Sequence, residues 1–185
     1  MPVLESKLDI RSEVFQTNKS DMIETLAQLQ GLYDEAAEGG GEEAVARIRK
    51  RGKMPIRERI SHVLDQDSPF LEISPLAAWR SSYDIGSGFV VGIGVIEGVE
   101  CVILGHDPSV RAGAFNPFNS KKLMRGLEIA RENRMPYVQF VESAGADLRG
   151  ASGDSKGDPN AEAEAALQRE VDHFAESGRL FYELS

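Results

Sequence analysis

The sequence predicts an α/β protein in which an amino-terminal helical arm precedes a core of ββα units. Three observations carry that reading. Apolar residues recur at helical spacing through the first third of the chain, two Val- and Ile-rich runs meet at a Glu-Gly pair, and a helix and another short apolar run follow them.

The arm comes first. From Asp21 to Ala37, Met22, Leu26, Leu29, Tyr33 and Ala36 alternate four and three apart, and Asp21 with Glu24 offers a capping-box start. This spacing predicts an amphipathic helix, which Gly39, Gly40 and Gly41 interrupt. Glu42 to Arg51 resumes as a helix with a basic end, stopped by Gly52 in a left-handed cap. Pro55 stands where a first turn tolerates proline and opens a third helix through Ile56, Ile60, Val63 and Leu64. Asp67, Ser68 and Pro69 end it. Residues 1–66 are the predicted arm, free to wrap a core or a partner, and 67–185 the predicted second unit.

From Gly88 the run GFVVGIGVIEGVECVILG reads as two strands joined at Glu97 and Gly98, with its other glycines taken as part of the hairpin. After a polar loop, His106 to Asn119, Ser120 is the expected N-cap of a helix with Leu123, Leu127 and Ala130 on one face, ending near Arg134. Pro136 forbids its continuation, and Tyr137 to Val141 forms a strand that leads into the turn SAGADL. The stretch GASGDSKGDPN has the composition of a surface loop, and a last helix is expected from Ala161 to Glu176. The closing RLFYELS is apolar where another strand should continue the alternation. A sheet ending at Tyr137 to Val141 would expose an edge. An incomplete domain, a split subunit or an obligate partner is therefore expected.

Composition excludes several classes. A net charge of -9 over 185 residues argues against sequence-independent nucleic-acid binding, which runs on clustered Lys and Arg. Cys101 is the single cysteine, so there is neither a disulfide framework nor a four-cysteine zinc site, and no metal site is expected. No apolar stretch approaches the roughly 20 residues of a membrane span, and Met1 to Leu8 lacks a signal-peptide pattern. These features fit an enzyme of the cytoplasm or, in a eukaryote, the mitochondrial matrix.

Two segments invite chemistry. In SAGADL, small residues at a strand end let the successive amides of Ala144 and Gly145 face a cavity and stabilise a developing oxyanion, although a plain strand-to-loop turn explains the same residues. In HDPSVRAGAFNPFNSKK, Arg111, Lys121 and Lys122 bring positive charge to a small-residue loop before a helix start, a corner suited to phosphate. Solvated helix lysines are the plain alternative, and Phe115 and Phe118 either flank a ligand or pin the loop to the core. His62, His106 and His173 read as structural or surface residues. Ser143 has no visible base, and Glu142 is either a base or a structural strand-end carboxylate.

The stretches GGGEEAVARIRKRGKMPIRERISHVLDQDSPFLEIS and GFVVGIGVIEGVECVILGHDPSVRAGAFNPFNSKKLMRGLEIARENRMPYVQFVESAGADL, with VDHFAESGRLFYELS, closely resemble the amino-terminal half of carboxyltransferase subunits of biotin-dependent acyl-CoA carboxylases. Within that family the methylcrotonyl-CoA and geranyl-CoA branch is most similar. The resemblance implies a crotonase (ClpP)-like ββα core that binds acyl-CoA, assembly with other carboxyltransferase subunits, and biotin brought by a carrier domain of a partner. It implies that a carboxyl group moves from carboxybiotin to the enolate of the acyl thioester. Ala144 and Gly145 match the family's Ser-Gly-Gly-Ala turn, whose amides hold the thioester oxygen. Arg111, Ala112, Gly113, Ala114, Phe115, Lys121 and Lys122 fall where its acyl-CoA segment lies. Two departures are visible: the family's carboxyl-terminal half is absent, and GASGDSKGDPNAEAEAALQR replaces its usual stretch after the turn. The acyl group stays open, with a non-catalytic CoA-binding or assembly module and a crotonase-type hydratase as rival readings.

Overall fold

The computed structural model describes residues 6–147. The predicted surface loop and last helix, and the closing RLFYELS, lie outside the described residues. The order is α1 (Glu13–Glu38), α2 (Gly41–Lys50), α3 (Ile56–Val63), β1 (Leu71–Glu72), β2 (Phe89–Ile96), β3 (Val99–His106), α4 (Pro117–Asn133) and β4 (Tyr137–Phe140). The four strands form one sheet in the order β1-β2-β3-β4.

The three arm helices form, but α1 begins at Glu13, well before Asp21. Ser12 caps it, its hydroxyl accepting from the Phe15 amide at 3.2 Å. With that cap upstream, Asp21 becomes an interior residue.

β2 and β3 make the predicted hairpin, antiparallel from Ile96 opposite Val99 to Phe89 opposite His106. Glu97 and Gly98 both take positive φ, 49° and 75°, as a tight two-residue connection requires. The Asp65 carboxylate accepts from both turn amides, at 2.7 and 2.8 Å, and so fastens the segment after α3 to the hairpin tip.

Strand alternation sends Val90, Cys101 and Ile103 to one face, where Ile56 and Ile60 of α3 cover them, and Phe89, Val91 and Leu104 to the other, under Leu123 and Leu127 of α4. α3, the last helix of the predicted arm, is thereby part of the core. Three glycines leave room on this face for α3 and for the segment that follows it. A methyl on Gly92, Gly94 or Gly105 would collide with Phe70, Leu64 or Ile56, so Gly92 and Gly94 serve packing, and only Gly98 serves the turn.

α4 is the crossover that returns the chain to a parallel β4, paired from Val102 opposite Tyr137 to Gly105 opposite Phe140. Its N-cap is Asn116, not Ser120. The Asn116 side chain accepts from the amides of Phe118 and Asn119, Asn119 reciprocates on the Asn116 amide, and Pro117 occupies the first turn.

Candidate functional site

Because β3 and β4 run parallel, the segments leaving His106 and Phe140 emerge at the same end of the sheet, the end where open α/β sheets place their ligands. The two segments singled out in the sequence meet there. The Ala144 amide donates to the Ala112 carbonyl at 3.1 Å, the Phe115 amide to the Gly145 carbonyl at 2.8 Å, and the Asp147 amide to the Phe115 carbonyl at 2.8 Å. This short ladder, bridged at Phe115 and Ala146, extends the β3 and β4 contact past the sheet.

The loop side of the ladder holds an unusual backbone. Arg111, Ala112 and Gly113 have φ of 47°, 54° and 69°, a left-handed run that costs about 1–2 kcal/mol at each non-glycine residue. Gly113 has a second constraint, since a methyl there would strike the Glu142 carbonyl. Ala112, Ala144, Gly145 and Ala146 are exposed. The result is a floor of backbone and methyl groups open to solvent.

Each amide of the predicted oxyanion pair has a partner. The Gly145 N–H, on a residue with φ of 97°, donates to the Ser143 hydroxyl at 3.1 Å. The Ala144 N–H is committed to the ladder. The two differ in how readily they yield, since Ser143 is exposed and its hydroxyl can rotate, whereas Ala112 is held by its loop.

The positive residues part ways. Arg111 donates to Asp84 at 3.1 Å, to Asp147 at 3.1 Å and to the Ser82 carbonyl at 3.2 Å, and lies over the Tyr83 ring. It braces the 82–84 loop against the small-residue turn. Lys122 points inward, its side chain 1% exposed, donating to the Phe89 carbonyl at 2.7 Å with Glu72 at 3.9 Å. Burial pulls its ammonium down to about 8, against the pull of Glu72. Lys121 alone of the three is exposed. Nor is the helix start bare, because Asn116 holds the amides of Phe118 and Asn119.

Phe115 meets both Phe89 and His106 edge-on at 5.2 Å, pinning the loop to the core, while Ala114 is buried and its carbonyl accepts from Asn119. His106 is fully buried and stacks on Phe89, and burial holds it below the ordinary histidine range. Glu142 is tied by Lys53 at 2.6 Å and Arg59 at 2.7 Å, which keep its carboxylate below its usual range, the Lys53 hydrogen bond foremost. A carboxylate so stabilised is a poor general base. Asp84, Tyr83, Lys53 and Arg59 were not anticipated as parts of this corner. Their partners lie tens of residues away, and no local spacing announces such pairs.

Residues 47–162 match the carboxyl transferase domain, more than half of the chain. The chain belongs to the carboxyl transferase domain family. Among curated relatives it is 43% identical over 146 residues to a probable biotin-dependent acyl-coenzyme A carboxylase beta2 subunit of Mycobacterium tuberculosis, covering 79% of this chain and 28% of that protein. It is 38% identical over 149 residues to a probable mitochondrial methylcrotonoyl-CoA carboxylase beta chain of Drosophila melanogaster, covering 79% and 26%. Among solved structures, the beta subunit of P. aeruginosa geranyl-CoA carboxylase superposes with a TM-score of 0.72 at 36% identity, over 82% of this chain and 29% of that one. The transcarboxylase 12S core shares the fold, with a TM-score of 0.70 at 24% identity, over 88% and 29%. This carboxyl transferase chain thus spans little more than a quarter of its relatives' length. Among its described residues there is no group of three potential metal ligands, and no helix long and apolar enough to cross a membrane.

Proposed function

We propose that this chain is the acyl-CoA-binding portion of a biotin-dependent carboxyltransferase with a crotonase-like core, which moves a carboxyl group from carboxybiotin to the enolate of an acyl-CoA. The observation that carries the reading is the ladder between Ala112–Phe115 and Ala144–Asp147, which presents exposed small residues at the carboxyl end of two parallel strands. A flat acyl thioester can approach such a floor where larger side chains would exclude it.

The Gly145 amide is the donor for the thioester oxygen, exchanging the Ser143 hydroxyl for an oxygen that gains negative charge as the enolate forms. A single such donor is worth about 3 kcal/mol in a transition state. Ala144 acts through the ladder, holding Gly145 in place, and contributes its own amide only if the Ala112 bond opens. Lys121 is the residue for the CoA phosphates, and Arg111 with Ala112, Gly113, Ala114 and Phe115 shapes the wall along which the ligand lies. Lys122 supports that wall from beneath. Biotin supplies the carboxyl group, is carried by a partner subunit, and is assigned no residue in this chain. Other carboxyltransferase subunits, and the part of its relatives that this chain does not span, complete the site. The hydratase reading is disfavoured by Glu142, whose two oxygens are taken by Lys53 and Arg59.

Calorimetric titration of the folded chain with CoA and with acetyl-, propionyl- and methylcrotonyl-CoA tests the reading. Binding that depends on the acyl group, weakened by Lys121→Ala and Gly145→Val in variants with unchanged circular dichroism, supports it. Acyl-CoA binding indifferent to both substitutions places the site elsewhere and rejects the residue assignments.

A further inference from the structure

His106 ends β3 against the loop side of the ladder, and the proposed chemistry leaves its side chain unused. It is 0% exposed. The ring stacks on Phe89 at 4.1 Å and meets Phe115 edge-on at 5.2 Å, while a methyl on Gly113 would come within 3.5 Å of its Cβ. Packing of this kind would be served as well by phenylalanine. An imidazole buried among aromatic rings instead brings two polar atoms that need partners.

The two nitrogens serve different segments. Nε2 lies 3.2 Å from the Gln139 amide nitrogen. An amide nitrogen only donates, so Nε2 accepts, the ring is neutral and its proton sits on Nδ1. Burial favours the same neutral form. Nδ1 has no aligned partner among the described residues, and the group that strengthens the ring's hold on a proton is the Gly113 backbone. The Gly113 carbonyl is therefore the acceptor to which the Nδ1 proton turns.

One ring thus bridges the two segments that build the floor. Gln139 belongs to β4, which leads into the small-residue turn. Gly113 lies between Ala112, whose carbonyl holds the Ala144 amide, and Phe115, whose amide is held by the Gly145 carbonyl. We infer that His106 is a positioning residue for the acyl-CoA site, its imidazole tying Gln139 to the Gly113 backbone so that the Ala112–Ala144 bond stays closed and Gly145 is left as the donor to the thioester oxygen. The inference rests on the proposed function for the identity of the ligand, and on geometry alone for the bridge.

NMR of the imidazole nitrogens in the 185-residue chain reads the tautomer. A protonated Nδ1 and an accepting Nε2 are expected, and a proton on Nε2 overturns the inference. His106→Phe keeps a ring in place and removes both nitrogens. Amide hydrogen exchange should then be about tenfold faster at Ala144, Phe115 and Asp147, and unchanged along the hairpin of β2 and β3. Unchanged ladder amides, or equal acceleration in ladder and hairpin, would leave His106 a packing residue and overturn the inference. Gln139→Leu should give the same pattern, and adding it to His106→Phe should change little further. Propionyl-CoA titrated against the parent and His106→Phe supplies the binding readout, with a dissociation constant expected to rise about tenfold while that of CoA does not. A parent chain that binds no acyl-CoA fails the proposed function. Acyl-CoA binding that His106→Phe leaves intact fails this inference alone.

Discussion

The Arg59 guanidinium lies 2.7 Å from the Glu142 carboxylate, joining the third helix to the residue that opens the small-residue turn. Lys53 takes the other oxygen, so two cations from the amino-terminal region fix the exit of β4. Because they lower the folded-state pKa of Glu142, the stabilisation is present above the unfolded carboxyl value of about 4.3 and is lost as pH falls through the folded value. Glu142→Gln should therefore lower the melting temperature near neutral pH, with the gap to the parent narrowing as pH falls below the unfolded carboxyl value of about 4.3. Thermal melts across that range check it. A gap that does not change with pH would mean that charge pairing is not what Glu142 contributes.

Arg111 is a brace between the 82–84 loop and the small-residue turn. Its substitution by Ala removes donors to Asp84, Asp147 and Ser82, and the Asp147 side chain is 1% exposed, so a loss of about 1–3 kcal/mol is expected. Denaturant unfolding measures that loss. Arg111→Ala is thus an ambiguous probe of CoA binding, and Lys121→Ala a cleaner one. Unchanged stability with abolished CoA binding would return Arg111 to the role of direct ligand.

What could be read in advance divides by distance along the chain. The Glu97-Gly98 hairpin, the third helix after Pro55 and the strand after Pro136 are written in neighbouring residues, and all three form. The start of α4 was also locally written, in Asn116-Pro117-Phe118-Asn119, but Ser120 offered a rival cap. Lys122 could have been placed from periodicity, because Asn119, Lys122, Leu123, Gly126, Leu127 and Ala130 share one helical face and all are buried. Gly94 and Gly105 could not, since the side chains that need their bare Cα atoms come from Leu64 and Ile56, some thirty and fifty residues earlier. The small-residue turn and the Arg111 loop were each visible alone, while the ladder that joins them is a product of the parallel β3 and β4 pairing.

Gly113 combines positive φ with contact against the Glu142 carbonyl. Gly113→Ala should cost about 2–4 kcal/mol, from strain added to overpacking. The same change at exposed Gly145, whose surroundings are open, should cost only about 1 kcal/mol, from positive φ alone. Paired denaturation curves separate the two. Equal losses would show that the carbonyl yields to the methyl and that the ladder is softer than its geometry suggests.

Ile56 is 2% exposed and fills the space above Gly105. Ile56→Ala should cost about 2–5 kcal/mol as a cavity opens beneath α3. A loss near zero in denaturant unfolding would show that α3 behaves as a detachable arm after all.

Lys122 gives the same sign of pH dependence as Glu142, in an alkaline window. Burial lowers its ammonium to about 8 in the folded chain, against about 10.4 when unfolded. Between those values the unfolded chain binds more protons, so this group makes folding more favourable as pH rises through the window. Lys122→Met removes that dependence, along with the hydrogen bond to the Phe89 carbonyl. The stability of the parent relative to Lys122→Met should accordingly be greater near pH 10 than near pH 7, by about 1–3 kcal/mol. Denaturant unfolding at the two pH values decides the matter, because titrations shared by both proteins cancel in the difference. A difference independent of pH would mean that Lys122 keeps an ordinary ammonium, reaching water from inside the helix.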